Sequence, residues 1–136
     1  MNARAKGNWQ GMNWIRQEKR LAIYLRDGCA CVWCGANVEN GAQLTLDHIV
    51  GHSKKQDNSA TNLVTSCHRC NTSRGTRTVN KFAVAVAEYL NHGVKADAIL
   101  KHVRNCAARS IKPHLVEAKA LIARRGSALA ALQERN

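Results

Sequence analysis

Two cysteine pairs frame the stretch of sequence that decides the fold: CVWCG at residues 31–35 and CHRCN at residues 67–71. In a C-x2-C pair, two thiols share one tight turn, so both sulfurs can bind the same ion. Two such turns supply the four ligands of a closed tetrahedral zinc site. We therefore predict one structural Zn2+ per chain, with the ligands Cys31, Cys34, Cys67 and Cys70.

The spacing of the pairs predicts a folded insert between them. The pairs are separated by 32 residues, more than the roughly 15 to 20 of a plain zinc ribbon. Three further side chains compete as ligands. Cys29 makes no C-x2-C pair and lacks a following glycine, whereas Cys106 sits in a helical pattern and is expected in the core. His68 lies inside the second pair and stays open as a replacement for one thiolate.

The insert carries residues suited to phosphodiester hydrolysis: LDHIV at residues 46–50 and NLV at residues 62–64. Carboxylate and amide oxygens suit Mg2+ or Mn2+, and a histidine can take a proton from water near neutral pH. One ion and one base are sufficient for this chemistry. Adjacent residues of a strand point to opposite faces, however. A bend at the strand end would therefore be needed to bring Asp47 and His48 into one site.

Four strings in order within residues 26–75 make the resemblance specific: RDGCACVWCG, LDHIVGHSK, NLVTSCHRCN and SRG. This region resembles the HNH nuclease family in its zinc-ribbon-containing branch. The resemblance implies a ββα-metal core and the α+β class. It also implies that the four paired cysteines are the structural zinc ligands.

The resemblance also implies roles for individual residues. Asp47 matches the metal-binding acid, His48 the general base, and Asn71 the second metal ligand. Asn62 matches the middle asparagine, which braces the loop that carries the base. Gly51 stands where many relatives have proline, which loosens the loop without removing a ligand. With asparagine in the third position, both side-chain ligands are oxygens, which favours Mg2+ or Mn2+ over Zn2+ or Ni2+.

Around this centre, hydrophobic spacing predicts helices and one short hairpin. A helix is expected from Trp14 to Arg26, a turn-rich hairpin over 29–50, a loop over 51–60, and a further helix starting near Thr61 or, separately, near Cys70. Beyond residue 78, apolar residues recur at three- and four-residue spacing. That pattern predicts four C-terminal helices, at 79–91, 95–108, 113–125 and 127–134.

The net charge of +12 predicts a polyanionic partner. Residues 1–28 hold six basic and two acidic side chains, residues 29–71 three of each, and residues 72–136 twelve and four. The cationic flanks favour nucleic acid over a membrane surface. Candidate phosphate contacts, each equally explained as a plain surface charge, are Lys54, Lys55, Arg69, Arg74 and Arg77. Trp9, Trp14 and Trp33 are candidates for base stacking, although Trp33 is expected to cover the zinc turn and Trp14 to pack in the core.

These inferences predict an HNH core with zinc turns at residues 1–78 and a basic helical extension at residues 79–136. The expected function is metal-dependent hydrolysis of duplex DNA, by nicking or by cutting both strands. The alternative is a non-catalytic zinc-ribbon module that binds nucleic acid, and RNA or branched DNA stays open as the substrate. No apolar run approaches the roughly 18 residues of a membrane span, so we expect a cytoplasmic protein without a membrane partner. The C-terminal helices are candidates for self-association.

Overall fold

The computed structural model describes residues 14–50, 57–90 and 93–135, which form a two-stranded sheet and six α-helices. The predicted N-terminal helix and all four C-terminal helices are present with ends close to the expected ones. The elements in chain order are α1 (Gln17–Arg26), β1 (Leu44–His48), β2 (Leu63–Cys67), α2 (His68–Arg74), α3 (Val79–Leu90), α4 (Ala96–Ala108), α5 (Lys112–Arg125) and α6 (Ala128–Arg135).

The centre of the fold is a ββα unit made of β1, β2 and α2. The strands pair antiparallel from Leu44 opposite Cys67 to His48 opposite Leu63. Helix α2 begins directly after β2, with Cys67 as its N-cap residue. The predicted α+β class is confirmed, with the small sheet and its helix between helical flanks.

Two local predictions around this unit need correction. A helix does begin near Cys70, but the alternative start near Thr61 is wrong: Ala60–Asn62 forms one 3-10 turn and Leu63–Cys67 is a strand. All five residues of β2 are buried, so the strand lacks the alternation that marks a half-exposed strand. The predicted hairpin over 29–50 is reduced to a single bridge between Ala30 and Asn37, and β1 pairs with β2 instead.

A buried ion pair at the end of α1 fixes that helix to β2. The Arg26 guanidinium bonds the Asp27 carboxylate at 2.7 Å and donates to the carbonyl of Leu63 at 2.7 Å. The Asp27 carboxylate accepts the backbone N–H of Thr65 at 2.9 Å. Because both charges are buried and hydrogen-bonded, the pair sets where α1 meets the sheet.

The C-terminal helices pack on the ββα unit through two apolar clusters. One cluster joins the cysteine turns to α3 and α4, through residues such as Trp33, Phe82 and Val103. The other joins α1 and the sheet to α5 and α6, through residues such as Leu21 and Leu121. Cys106 is buried in the first cluster, as predicted. The division into units 1–78 and 79–136 stays a prediction.

Within the described residues, none of the helices is long and apolar enough to cross a membrane.

Candidate metal and nuclease site

The four paired cysteines form one cluster, as the sequence predicts. Their Sγ atoms all lie within 4.8 Å of one another, and those of Cys34 and Cys67 are 3.8 Å apart. Sulfurs that are each about 2.3 Å from a tetrahedral zinc lie about 3.8 Å from one another. The donor set therefore fits zinc in both chemistry and dimensions. Neither Cys29 nor His68 belongs to the cluster.

Local backbone bonds build the two cysteine turns. In the first turn, Gly35 N–H bonds the carbonyl of Cys31 at 2.9 Å, and Gly35 adopts φ +83°, which a residue with a side chain rarely tolerates. Val32, the residue after Cys31, joins this turn to the sheet, because its N–H bonds the carbonyl of Thr65 in β2 at 2.9 Å. In the second turn, the N–H of Cys70 points at the sulfur of Cys67 at 3.4 Å.

Hydrogen bonds within the cluster prepare it for a cation. Bonds from Cys31 to the neighbouring sulfurs raise the pKa of Cys31 and are the main cause that lowers the pKa of Cys34 and Cys67. The thiolate is the form of cysteine that binds metal, so a lower pKa favours binding at these two sulfurs. The cluster supports zinc binding.

Asp47 lies near the end of β1, 6% exposed, with a donor on each carboxylate oxygen. Arg74 of α2 donates to Oδ1 at 2.8 Å, and the indole N–H of Trp33 donates to Oδ2 at 3.1 Å. Burial raises the pKa of Asp47, while the charge of Arg74 and the two hydrogen bonds oppose the rise. Trp33 therefore links the first cysteine turn to Asp47, and its buried ring packs edge-on against Phe82.

Arg74 clamps the end of β1 and the residue that follows it. Besides Asp47, its guanidinium donates to the carbonyls of His48 at 2.7 Å and Ile49 at 3.0 Å, and to the carbonyl of Arg77 at 2.9 Å. Arg74 is 5% exposed, so it makes these bonds inside the protein. The phosphate contact expected at Arg74 stays a prediction, whereas its structural role follows directly from these bonds.

We expect Arg74→Met to lower the free energy of unfolding by about 3–5 kcal/mol, because it leaves the buried charge of Asp47 without its partner. Urea unfolding followed by circular dichroism measures the difference. The control is Arg104→Met, which removes an exposed side chain whose bond to Asn80 is 3.5 Å long, with an expected change of about 0.5 kcal/mol or less. Equal free energies of unfolding for the two variants would show that Arg74 does not stabilise the fold.

His48 follows Asp47 in β1 and contacts other elements. Its Nε2 lies 2.8 Å from Oδ1 of Asn58, and the Trp14 ring lies 5.2 Å from the imidazole, centroid to centroid. Strand pairing continues through both residues, with Asp47 opposite Val64 and His48 opposite Leu63.

Two asparagines join the segment around His48 to its surroundings. The Asn62 side chain accepts the N–H of Val50 at 3.0 Å and donates to the carbonyl of Asp57 at 2.8 Å, so it joins both flanks of residues 51–56. Asn71 donates to the carbonyl of Leu46 at 3.3 Å, which places its amide beside the strand one residue before Asp47.

The side chains of Asp47 and Asn71 both carry oxygen atoms near the end of β1. Each oxygen of a carboxylate offers two lone pairs, so two remain on Asp47 after the bonds to Arg74 and Trp33. Asn71 adds an amide oxygen whose orientation is set by the bond that its nitrogen makes to Leu46. Hard oxygen ligands of this kind suit Mg2+ or Mn2+.

The other candidates for nucleic-acid contact differ in how exposed they are. Arg69 and Arg77 are exposed, and their guanidinium groups lie over the rings of Tyr89 and Phe82. Trp14 is partly buried against the second apolar cluster, as expected for core packing. The remaining candidates, Trp9, Lys54 and Lys55, lie outside the described residues.

Sequence reasoning missed three contacts at this site. Nothing in the pattern marked Asn58 as a partner of His48, Trp33 as a donor to Asp47, or Arg74 as a clamp of the strand end. A basic residue spaced one helical turn after Asn71 could have suggested the last of these, because its side chain projects from the same helix toward β1.

Comparison with known proteins points to one family. The family model described as HNH endonuclease matches residues 31–77, the segment with both cysteine turns, the sheet and α2. This match confirms the resemblance inferred from the motifs and supports a nuclease in general. No curated protein sequence matches the chain.

Among solved structures, the chain is similar to the Type II-C Cas9 enzyme from Actinomyces naeslundii, with 23% identity and a TM-score of 0.45. The alignment covers 90% of this chain and 15% of that chain, so this chain corresponds to a small part of the length of that enzyme.

Proposed function

We propose that this protein is a metal-dependent endonuclease that hydrolyses phosphodiester bonds of duplex DNA. Its general base is His48, and Asp47 and Asn71 hold one Mg2+ or Mn2+. The observation that carries the proposal is the convergence of these residues on one ββα unit. Asp47 and His48 close β1, and Asn71 of α2 is bonded to the carbonyl of Leu46 just before them.

In this mechanism His48 takes a proton from a water molecule, whose oxygen attacks the phosphorus. A P–O bond to the water oxygen forms while the P–O ester bond to the departing oxygen breaks, and the departing oxygen takes a proton from solvent water. When bound by Asp47 and Asn71, a divalent ion would supply positive charge to the phosphate and to the departing oxygen. Asp47 and Asn71 would be the ligands that hold this ion at the phosphate. Arg74 keeps the backbone of residues 48–49 rigid while the proton moves.

The charge distribution supports DNA as the substrate. The chain has a net charge of +12, and duplex DNA carries one negative charge per about 1.7 Å of its helix axis. Arg69 lies in α2, the helix that carries Asn71, Arg77 follows the end of this helix, and both side chains are exposed. Such positions allow contacts to the phosphates on either side of the cleaved bond.

A second candidate is a zinc-stabilised module that binds nucleic acid without cutting it. It is favoured by one observation: the positive charge of Arg74 already compensates Asp47 at 2.8 Å, as a structural ion pair would. Under that alternative, Asp47 serves the fold alone and holds no divalent ion.

The two candidates differ in their effect on supercoiled plasmid DNA. We expect the wild-type protein with Mg2+ or Mn2+ to convert plasmid to open circles or linear DNA, and EDTA to stop the reaction. Gel electrophoresis separates the three forms. DNA binding without conversion under any divalent ion would reject the nuclease and leave the binding module.

A further inference from the structure

The contact between His48 and Asn58 determines which imidazole nitrogen carries the hydrogen. The Oδ1 atom of Asn58 lies 2.8 Å from Nε2 of His48. An amide oxygen has no hydrogen and can only accept, so Nε2 must be the donor. In the neutral ring, the lone pair then resides on Nδ1. We infer that Asn58 is a positioning residue that fixes the Nε2–H tautomer of His48 and so makes Nδ1 the basic atom.

Asn58 is itself held by its neighbours. Lys19 of α1 donates from Nζ to the carbonyl of Asn58 at 2.6 Å. The carbonyl of the preceding residue, Asp57, accepts the side-chain amide of Asn62 at 2.8 Å. Two consecutive peptide groups are therefore fixed, one by α1 and one by Asn62. Because its backbone is held in this way, the Asn58 side chain can restrain the rotation of the imidazole.

A second restraint acts on the face of the imidazole. The Trp14 ring lies 5.2 Å from the His48 ring at an interplanar angle of 32°. The guanidinium of Arg20 in α1 lies 5.4 Å from the centroid of Trp14. Turning the imidazole over would break the bond to Asn58 and disturb this packing. Residues 14–20 precede the segment 31–77 that matches the family model, so α1 adds to the site from outside it.

The inference rests on the proposed function, in which His48 is the base. A general base needs its lone pair directed at the water in a large fraction of molecules. Without Asn58, the neutral ring would populate both tautomers and both ring orientations. For histidines that bind a metal, the partner of the second ring nitrogen is typically worth about 10–100-fold in metal affinity or activity, and we expect a similar factor for this base.

The test compares Asn58→Ala, Asn58→Asp and the control Asn105→Ala, which removes an exposed asparagine of α4. The first readout is the pair of imidazole nitrogen shifts of His48, measured by NMR where the ring is neutral. The second is the single-turnover cleavage rate of a DNA duplex with Mn2+. We expect wild type and the control to show Nε2–H alone, and Asn58→Ala to show both tautomers and cleavage about 10–100-fold slower. Asn58→Asp should restore the tautomer and most of the rate, because a carboxylate oxygen accepts the same bond.

Unchanged nitrogen shifts and rate in Asn58→Ala would overturn the inference and leave the nuclease standing. Restoration of the tautomer in Asn58→Asp without recovery of the rate would also overturn the positioning role. If wild type cleaves nothing, the proposed function fails, and the nitrogen shifts alone decide whether Asn58 sets the tautomer.

Discussion

Replacing His48 by alanine should reduce DNA cleavage by about 10²–10⁴-fold, the usual contribution of a general base. The substitution leaves Asp47 and Asn71 in place, so binding of the divalent ion should be retained. The basic surface is also unchanged, so DNA affinity should stay close to that of wild type. Cleavage rates at saturating protein and DNA affinity by fluorescence anisotropy separate the two effects.

The matched control is His102→Ala, which removes an exposed histidine of α4 and should cleave at the wild-type rate. Circular dichroism of both variants shows whether the fold is intact, because His48 is 8% exposed and its loss leaves a small cavity beside Trp14. Wild-type cleavage by His48→Ala would remove this residue from the mechanism. The nuclease would then need another base.

How far the sequence predicts this protein depends on the kind of signal. Motifs with fixed spacing did best, since two C-x2-C pairs allow few arrangements other than the observed cluster of four sulfurs. The amphipathic C-terminal helices were also predictable from their period. The strand β2 was not predicted, because all five of its residues are buried and it shows no alternation of apolar and polar side chains. Without that alternation, a short strand cannot be told from the start of a helix.

The contacts that hold the site together escaped prediction for another reason. Arg26 and Arg74 are basic residues in a basic chain, so composition places them on the surface, yet both are buried. Each is buried because it meets a carboxylate and several carbonyls at once, a coincidence that arises only in three dimensions. Asn58 likewise reaches His48 across ten residues of sequence, a spacing that no local pattern marks.

Loss of one zinc ligand should have the largest effect on the fold itself. We expect Cys34→Ser and Cys67→Ser to lose both the metal and the folded structure, because the four sulfurs join a turn before β1 to the end of β2. Structural zinc sites contribute about 10–16 kcal/mol of apparent binding free energy in zinc-finger peptides, as much as the roughly 5–15 kcal/mol stability of a whole domain. Elemental analysis should find one zinc per wild-type chain, and circular dichroism should follow unfolding as a chelator removes it.

The other two cysteines provide the controls for this prediction. Cys29→Ser and Cys106→Ser should both retain one zinc, since neither sulfur belongs to the cluster. Cys106→Ser should still cost on the order of 1–3 kcal/mol, because it buries a hydroxyl in the apolar cluster of α3 and α4. The two effects are therefore separable: destabilisation with zinc retained marks a packing residue, and destabilisation with zinc lost marks a ligand. A folded, zinc-free wild-type protein would exclude the metal as the link between the two turns, and the apolar cluster around Trp33 would then have to hold them together alone.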